Sequence, residues 1–116
     1  MRLVHDRDGT TTTLASTVEV AESRFAQARG LMFRRSIPDD YALVFPFAGV
    51  GSRSLHMLFV PFPIDAVWLR DDEVTKTTRL RAWTGLGWGR GDCVVELPAG
   101  AADGVEVGDR VRLVDD

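Results

Sequence analysis

Cysteine occurs once in this sequence, as Cys93, so no disulfide can close within the chain. Lysine also occurs once, as Lys76, against thirteen arginines, a bias that reflects a GC-rich genome more than thirteen anion sites. Bases do not predominate: seventeen acids face fourteen bases, the net charge is −3, and the signs are interspersed. A nucleic-acid surface needs a basic excess or stripe, so no nucleic-acid partner is expected. No run approaches the roughly 18 apolar residues that would span a bilayer, and no membrane span is expected. Residues 1–8, Met-Arg-Leu-Val-His-Asp-Arg-Asp, lack the apolar segment of a secretory signal, which makes a cytoplasmic location the expectation. With two histidines and one cysteine, spacings such as Cys-x-x-Cys or His-x-x-x-His are absent. The phosphate-cradling Gly-x-x-x-x-Gly-Lys, the Gly-x-Ser-x-Gly elbow and a Gly-x-Gly-x-x-Gly opening a helix are absent too. No cofactor is expected.

What is present is a soluble single domain, residues 1–116, with 45% hydrophobic residues, enough for a core without staples. Ser54–Asp71 holds its densest apolar run, with Pro61 and Pro63 dividing it into strands at about Leu55–Phe59 and Ile64–Leu69. Upstream, Asp8-Gly9 marks a hairpin between Arg2–His5 and a long strand over Thr11–Ala21. Ser23 can cap a short helix near residues 23–30, with Phe25, Ala28 and Met32 at helical spacing and Gly30 as its C-terminal stop. Tyr41–Phe47 is strand-like, whereas Ala48–Ser54, with Gly49 and Gly51, suggests a flexible connection. Glu73–Ala82 alternates like a solvent-facing or edge strand. Trp83–Asp92, with four glycines and two tryptophans, suggests a loop; Cys93–Leu97 and Arg110–Val114 are the last strands. Seven or eight short strands and one helix predict a mainly-β sandwich or barrel, and a monomer is expected.

Four separated blocks carry a family resemblance. They are Val18–Ala21 running into Arg29-Gly30-Leu31-Met32-Phe33-Arg34; Ala42–Phe47; Met57 with Pro63-Ile64-Asp65-Ala66-Val67-Trp68; and Val95–Gly100 with Val107–Val111. In order and spacing they resemble the bacterial and archaeal domain of unknown function family 192, over about residues 14–114. The resemblance implies a small jelly-roll-like β fold with one short helix, and no assigned activity. Related proteins are often exported. Three positions depart from the family pattern: His56 stands for its tryptophan, Leu58-Phe59-Val60 for its polar Lys-Asn-Thr, and Leu43 for its methionine.

The candidate sites divide by chemistry. Asp65, an acid among apolar residues, needs a partner or a raised pKa, and Arg29 is the expected partner. It has either a structural role or a place in a ligand site. Glu96, in an apolar strand, either faces solvent or joins Asp65 as the carboxylate pair of a hydrolase. His56 and Met57 are ligand types that would suit copper, with Met32 and Cys93 as possible additions. Neighbours on a strand point to opposite faces, however, which disfavours the pair as a metal site. A Cys93–His56 nucleophile pair exists by composition only, and a buried Cys93 would be inert. Trp83 and Trp88 offer stacking surfaces for a sugar or a peptide. The preferred expectation is a non-enzymatic module that binds a small ligand or partner near Trp83, Trp88, Arg29 and Asp65. A hydrolase using Asp65 and Glu96, or a metal-handling protein using His56 and Met57, is the alternative.

Overall fold

A computed structural model describes residues 1–115. The chain is mainly β, in the order β1 (Arg2–Arg7), β2 (Thr10–Ala15), β3 (Thr17–Val20), α1 (Arg24–Arg29), β4 (Tyr41–His56), β5 (Ile64–Arg70), β6 (Glu73–Leu80), β7 (Leu86–Pro98) and β8 (Arg110–Val114). These strands form one sheet in the order β2-β1-β8-β6-β5-β7-β4-β3, antiparallel except where β3 runs parallel to β4. Two tight turns follow from acidic residues that tolerate left-handed backbone. Asp8 (φ 50°) and Gly9 (φ 79°) join β1 to β2, and Asp71 (φ 49°) and Asp72 (φ 67°) join β5 to β6.

The long strand expected over Thr11–Ala21 is broken at Ser16. Its hydroxyl and that of Thr17 donate to Asp40 Oδ2 at 2.7 and 2.8 Å, while both backbone amides donate to the Asp40 carbonyl. The residues before and after this break lie at opposite edges of the sheet, β2 and β3. A one-residue link between the two edges forces the sheet to curl until they approach. The enclosed face carries Leu3, Val44, Val67, Leu69, Val95 and Val111, all buried.

The other face of β4, β5 and β7 is buried as well. Tyr41, Leu43, Phe45, Ala66, Trp68 and Val94 form a second cluster beneath Leu31, Met57 and Val60. Burial on both faces explains why β5 reads as an almost continuous apolar run. Across the second face lies α1. The Ser23 hydroxyl accepts from the Ala26 amide at 3.0 Å, and Gly30 (φ 50°) ends the helix by donating to the Ala26 carbonyl. None of its six residues is buried. Its anchor is Gln27, whose side-chain amide donates to the carbonyls of Ala21 (3.0 Å) and Pro46 (2.9 Å).

Two expected loops are strands. Ala48–Ser54 belongs to β4 and Leu86–Asp92 to β7, and they pair from Gly51↔Gly91 to His56↔Leu86. The glycines do not loosen this ribbon; they let it lie against its neighbours. A Cβ on Gly89 would stand 2.7 Å from Trp68 Cγ, and one on Gly91 would stand 2.3 Å from the Leu69 carbonyl oxygen. Gly91→Ala is therefore expected to destabilise by about 1–3 kcal/mol, since backbone cannot yield as a side chain does. Gly104→Ala, with nothing within 4 Å of the added carbon, is the control and should change stability by less than about 0.5 kcal/mol. Chemical denaturation of both variants checks this; equal stabilities would refute the close-approach account.

One smaller expectation also changes. The strand thought to cover Leu55–Phe59 stops at His56, because residues 57–60 form a turn closed by Val60 N donating to the Met57 carbonyl at 3.0 Å. β6 pairs along its length with β5 but meets β8 only at Glu73↔Arg110, so it is an edge over most of its other side. His5 is buried, with Nε2 2.7 Å from Asp109 Oδ2. Among the described residues, no helix is long and apolar enough to cross a membrane.

Candidate ligand pocket

Glu96 sits near the middle of the sheet, opposite Leu43 of β4 on one side and Ala66 of β5 on the other. The alternation of β7 sends Val95 and Leu97 to the enclosed face and Glu96 to the face beneath α1. Gly30 packs over it: a Cβ there would lie 3.5 Å from Glu96 Oε1 and 3.5 Å from Phe45 Cζ. Glu96 is 5% exposed as a residue, and it lines a cavity of about 150 Å³. Leu31, Met32, Phe45 and Val60 supply apolar wall; Gln27, Arg29, Ser54 and His56 supply polar groups.

No donor among the described residues hydrogen-bonds the Glu96 carboxyl. Burial pushes its pKa up to about 8, and the opposing field of Arg34 is the weaker influence. Arg34 is already committed, donating to Glu19 Oε1 (3.2 Å), Glu19 Oε2 (3.3 Å) and the Tyr41 hydroxyl (3.0 Å). The bond from Arg34 holds Glu19 below its ordinary pKa, while burial raises Tyr41 to about 12. Arg29, by contrast, has no ion pair among the described residues, and it is exposed at the end of α1. It lines the Glu96 cavity, a neighbouring one of about 240 Å³ that reaches Glu19 and Arg34, and an open apolar groove with Phe25, Met32 and Phe33. Phe25 and Ala28 of α1, with Met32 beyond its end, thus line a groove, and Phe25 is 78% exposed.

Across the cavity, His56 Nδ1 accepts from the Leu58 amide at 3.2 Å. In the neutral ring this leaves Nε2–H as the free donor. Met57, its neighbour, is buried in the core and has no part in a site with His56. Among the described residues no three His, Cys, Asp or Glu side chains gather as a metal set.

Asp65 does not pair with Arg29. Its Oδ1 accepts from Arg79 Nε at 2.8 Å, and its Oδ2 accepts from the amides of Gly100 (2.9 Å) and Ala102 (3.0 Å). The acid ties β5 to the turn after β7, and Arg79 reaches on to Asp103 at 2.6 Å. Nor can Asp65 work with Glu96. Asp65 pairs with Leu97 and Ala66 with Glu96, so the two carboxylates project from opposite faces of the sheet. A hydrolase using that pair is excluded by register. The half-buried Cys93 thiol is pushed up to about 12 by burial and by the charges of Asp92 and Asp72, which makes it a poor nucleophile.

Trp83 and Trp88 are exposed, at 54% and 64%. Trp83 lies in the turn after β6, with its amide donating to the Val60 carbonyl; Trp88 lies on β7 beneath the Lys76 ammonium, 5.2 Å from its ring. Neither lines the cavities beside α1. Gln27, Ser54 and the free His56 Nε2 escape a reading of the sequence, because only the fold brings the helix against the end of β4. The one available signal was an acid in the apolar run Val94-Val95-Glu96-Leu97.

No curated protein matches the chain. Two solved structures share its fold. One, a Sinorhizobium meliloti 1021 protein conjectured to regulate transcription, is 26% identical, with a TM-score of 0.83 over 96% of this chain and 91% of its own. The other, a protein of unknown function from Novosphingobium aromaticivorans DSM 12444, is 21% identical, with a TM-score of 0.83 over 97% of this chain and 84% of its own. The sequence profile of DUF192, described as Uncharacterized ACR, matches residues 4–113. The chain therefore belongs to domain of unknown function family 192.

Proposed function

We propose that this protein is a non-enzymatic binding module whose ligand is a small amphipathic molecule seated between α1 and the β4–β7 face. One observation carries the reading: Glu96 is 5% exposed as a residue, its carboxyl has no hydrogen-bond partner among the described residues, and it lines a cavity. No side-chain oxygen or nitrogen among the described residues is fully buried without a partner, so the Glu96 oxygens open to the cavity, and an acceptor there fits a site completed by something else. The volume supports a small occupant. About 150 Å³ is the size of an apolar cavity that takes up benzene, whereas the polar groups around this one call for a molecule with hydrogen-bonding ends. The reading moves the expected site from the tryptophans to Arg29, His56 and Glu96.

A fragment screen followed by heteronuclear NMR tests the proposal. Small polar fragments should shift the amides of residues 27–32, His56 and Glu96, and Arg29→Ala should weaken the hits about 10-fold or more. Trp88→Ala should leave them unchanged. Hits confined to the surface of Trp83 and Trp88, or no hits at residues 27–32, would overturn the pocket reading.

A further inference from the structure

We infer that the pocket takes a small zwitterion of the α-amino acid class, its ammonium group on the buried Glu96 carboxylate and its carboxylate toward Arg29 and His56. This rests on the pocket reading above and specifies its chemistry. Glu96 is buried beneath Gly30, and Arg29, exposed at the end of α1, lines the same cavity. A ligand carrying charges of opposite sign would offer a partner to each. An anion alone would leave Glu96 without a partner, and a cation alone would leave Arg29 repelling it. Leu31, Met32, Phe45 and Val60 in the same cavity favour a compact apolar side chain. The adjoining turn, Leu58-Phe59-Val60, is apolar as well.

The charged groups facing Glu96 are few. Arg34 acts on it from a distance, Arg29 and His56 line the same cavity, and among the described residues no second carboxylate lines it. Since burial favours the neutral acid, Glu96 holds a proton near neutral pH in the free protein. An incoming ammonium group favours the carboxylate, so that proton passes to the buffer as the ion pair forms. The ligand's own charge is unchanged.

Calorimetric titration of the full chain with L-valine, isovalerate and isobutylamine at pH 7 tests the assignment. The three probes carry both charged groups, the carboxylate alone and the amine alone. L-valine should bind at least about 10-fold more tightly than either of the others. Comparing buffers of different ionisation enthalpy should show close to one proton released per valine bound. Glu96→Gln should abolish the release and weaken binding about 10- to 100-fold, and Arg29→Gln, a surface change that does not threaten the fold, should weaken it about 10-fold. If isovalerate binds as tightly as L-valine, or no proton is released, the zwitterion assignment is overturned while the pocket reading stands. If none of the three binds, the assignment also fails, and the fragment screen alone then decides the pocket.

Discussion

Replacing Glu96 with glutamine should stabilise the protein, and the gain should grow as pH rises. Glu96 has an ordinary pKa of 4.5 in the unfolded chain and about 8 in the folded one, because burial disfavours its charge. Between those values the folded state holds a proton that the unfolded state has released. Stability therefore falls with rising pH across this window, by about 1.4 kcal/mol per unit for this one group. Below about pH 4.5 both states are protonated and the group contributes no slope; above about pH 8 both are ionised and the full penalty applies. At pH 7 the accumulated penalty is about 3 kcal/mol. Glutamine keeps the shape and removes the titration. Urea unfolding of both proteins from pH 4 to 9 should give curves that diverge with rising pH, by about 3 kcal/mol at pH 7. Parallel curves would show that the Glu96 carboxyl is solvated in the native state, and the binding site would lose its main support. A ligand that pairs with Glu96 should reduce the divergence, since binding to the native state stabilises it by mass action.

Asp65→Ala should destabilise by about 3–5 kcal/mol, through the backbone more than through the ion pair. Removing the carboxylate leaves the amides of Gly100 and Ala102 without their acceptor, and Ala102 is 5% exposed. Each orphaned amide costs about 1–3 kcal/mol. The Arg79 side chain is 52% exposed, so its half of the pair is screened and adds no more than about 1 kcal/mol. Arg79→Ala should consequently be mild, and Asp65→Asn, which keeps an acceptor oxygen, should fall between the two. Hydrogen exchange would localise the effect, with Gly100 and Ala102 losing protection first. An Arg79→Ala variant as damaged as Asp65→Ala would overturn this, placing the energy in the ion pair. Neither variant should affect binding in the Glu96 cavity, because Asp65 projects from the other face of the sheet.

The two acids show where local pattern stops being informative. Both interrupt apolar runs, and both are buried. From sequence they are equivalent candidates, and pairing them as one catalytic unit is reasonable. A register of β5 on β7 that sets Ala66, not Asp65, opposite Glu96 places them on opposite faces, one saturated with donors and the other bare. Strand register depends on contacts between segments some 30 residues apart, and nothing within either segment encodes it. The glycine-rich run Gly85–Gly91 misleads for a related reason. Its glycines are suited to mobility in isolation; here they make room for Trp68 and the backbone of Leu69.

By itself the sequence determined the features that arise within a few residues: the Asp8-Gly9 hairpin, the Ser23-to-Gly30 helix, the apolar β5, the absence of disulfides and, through four spaced blocks, the family. Each is a local preference of backbone or side chain that survives into the folded chain. Only the tertiary structure decided that Ser16 sends one strand to two edges, that β4 and β7 run on as a ribbon, that Asp65 belongs to Arg79 and the Gly100–Ala102 turn, and that Glu96 lies bare beneath α1. Those outcomes depend on which distant surfaces meet when the sheet curls, and burial then decides what each charged group must do.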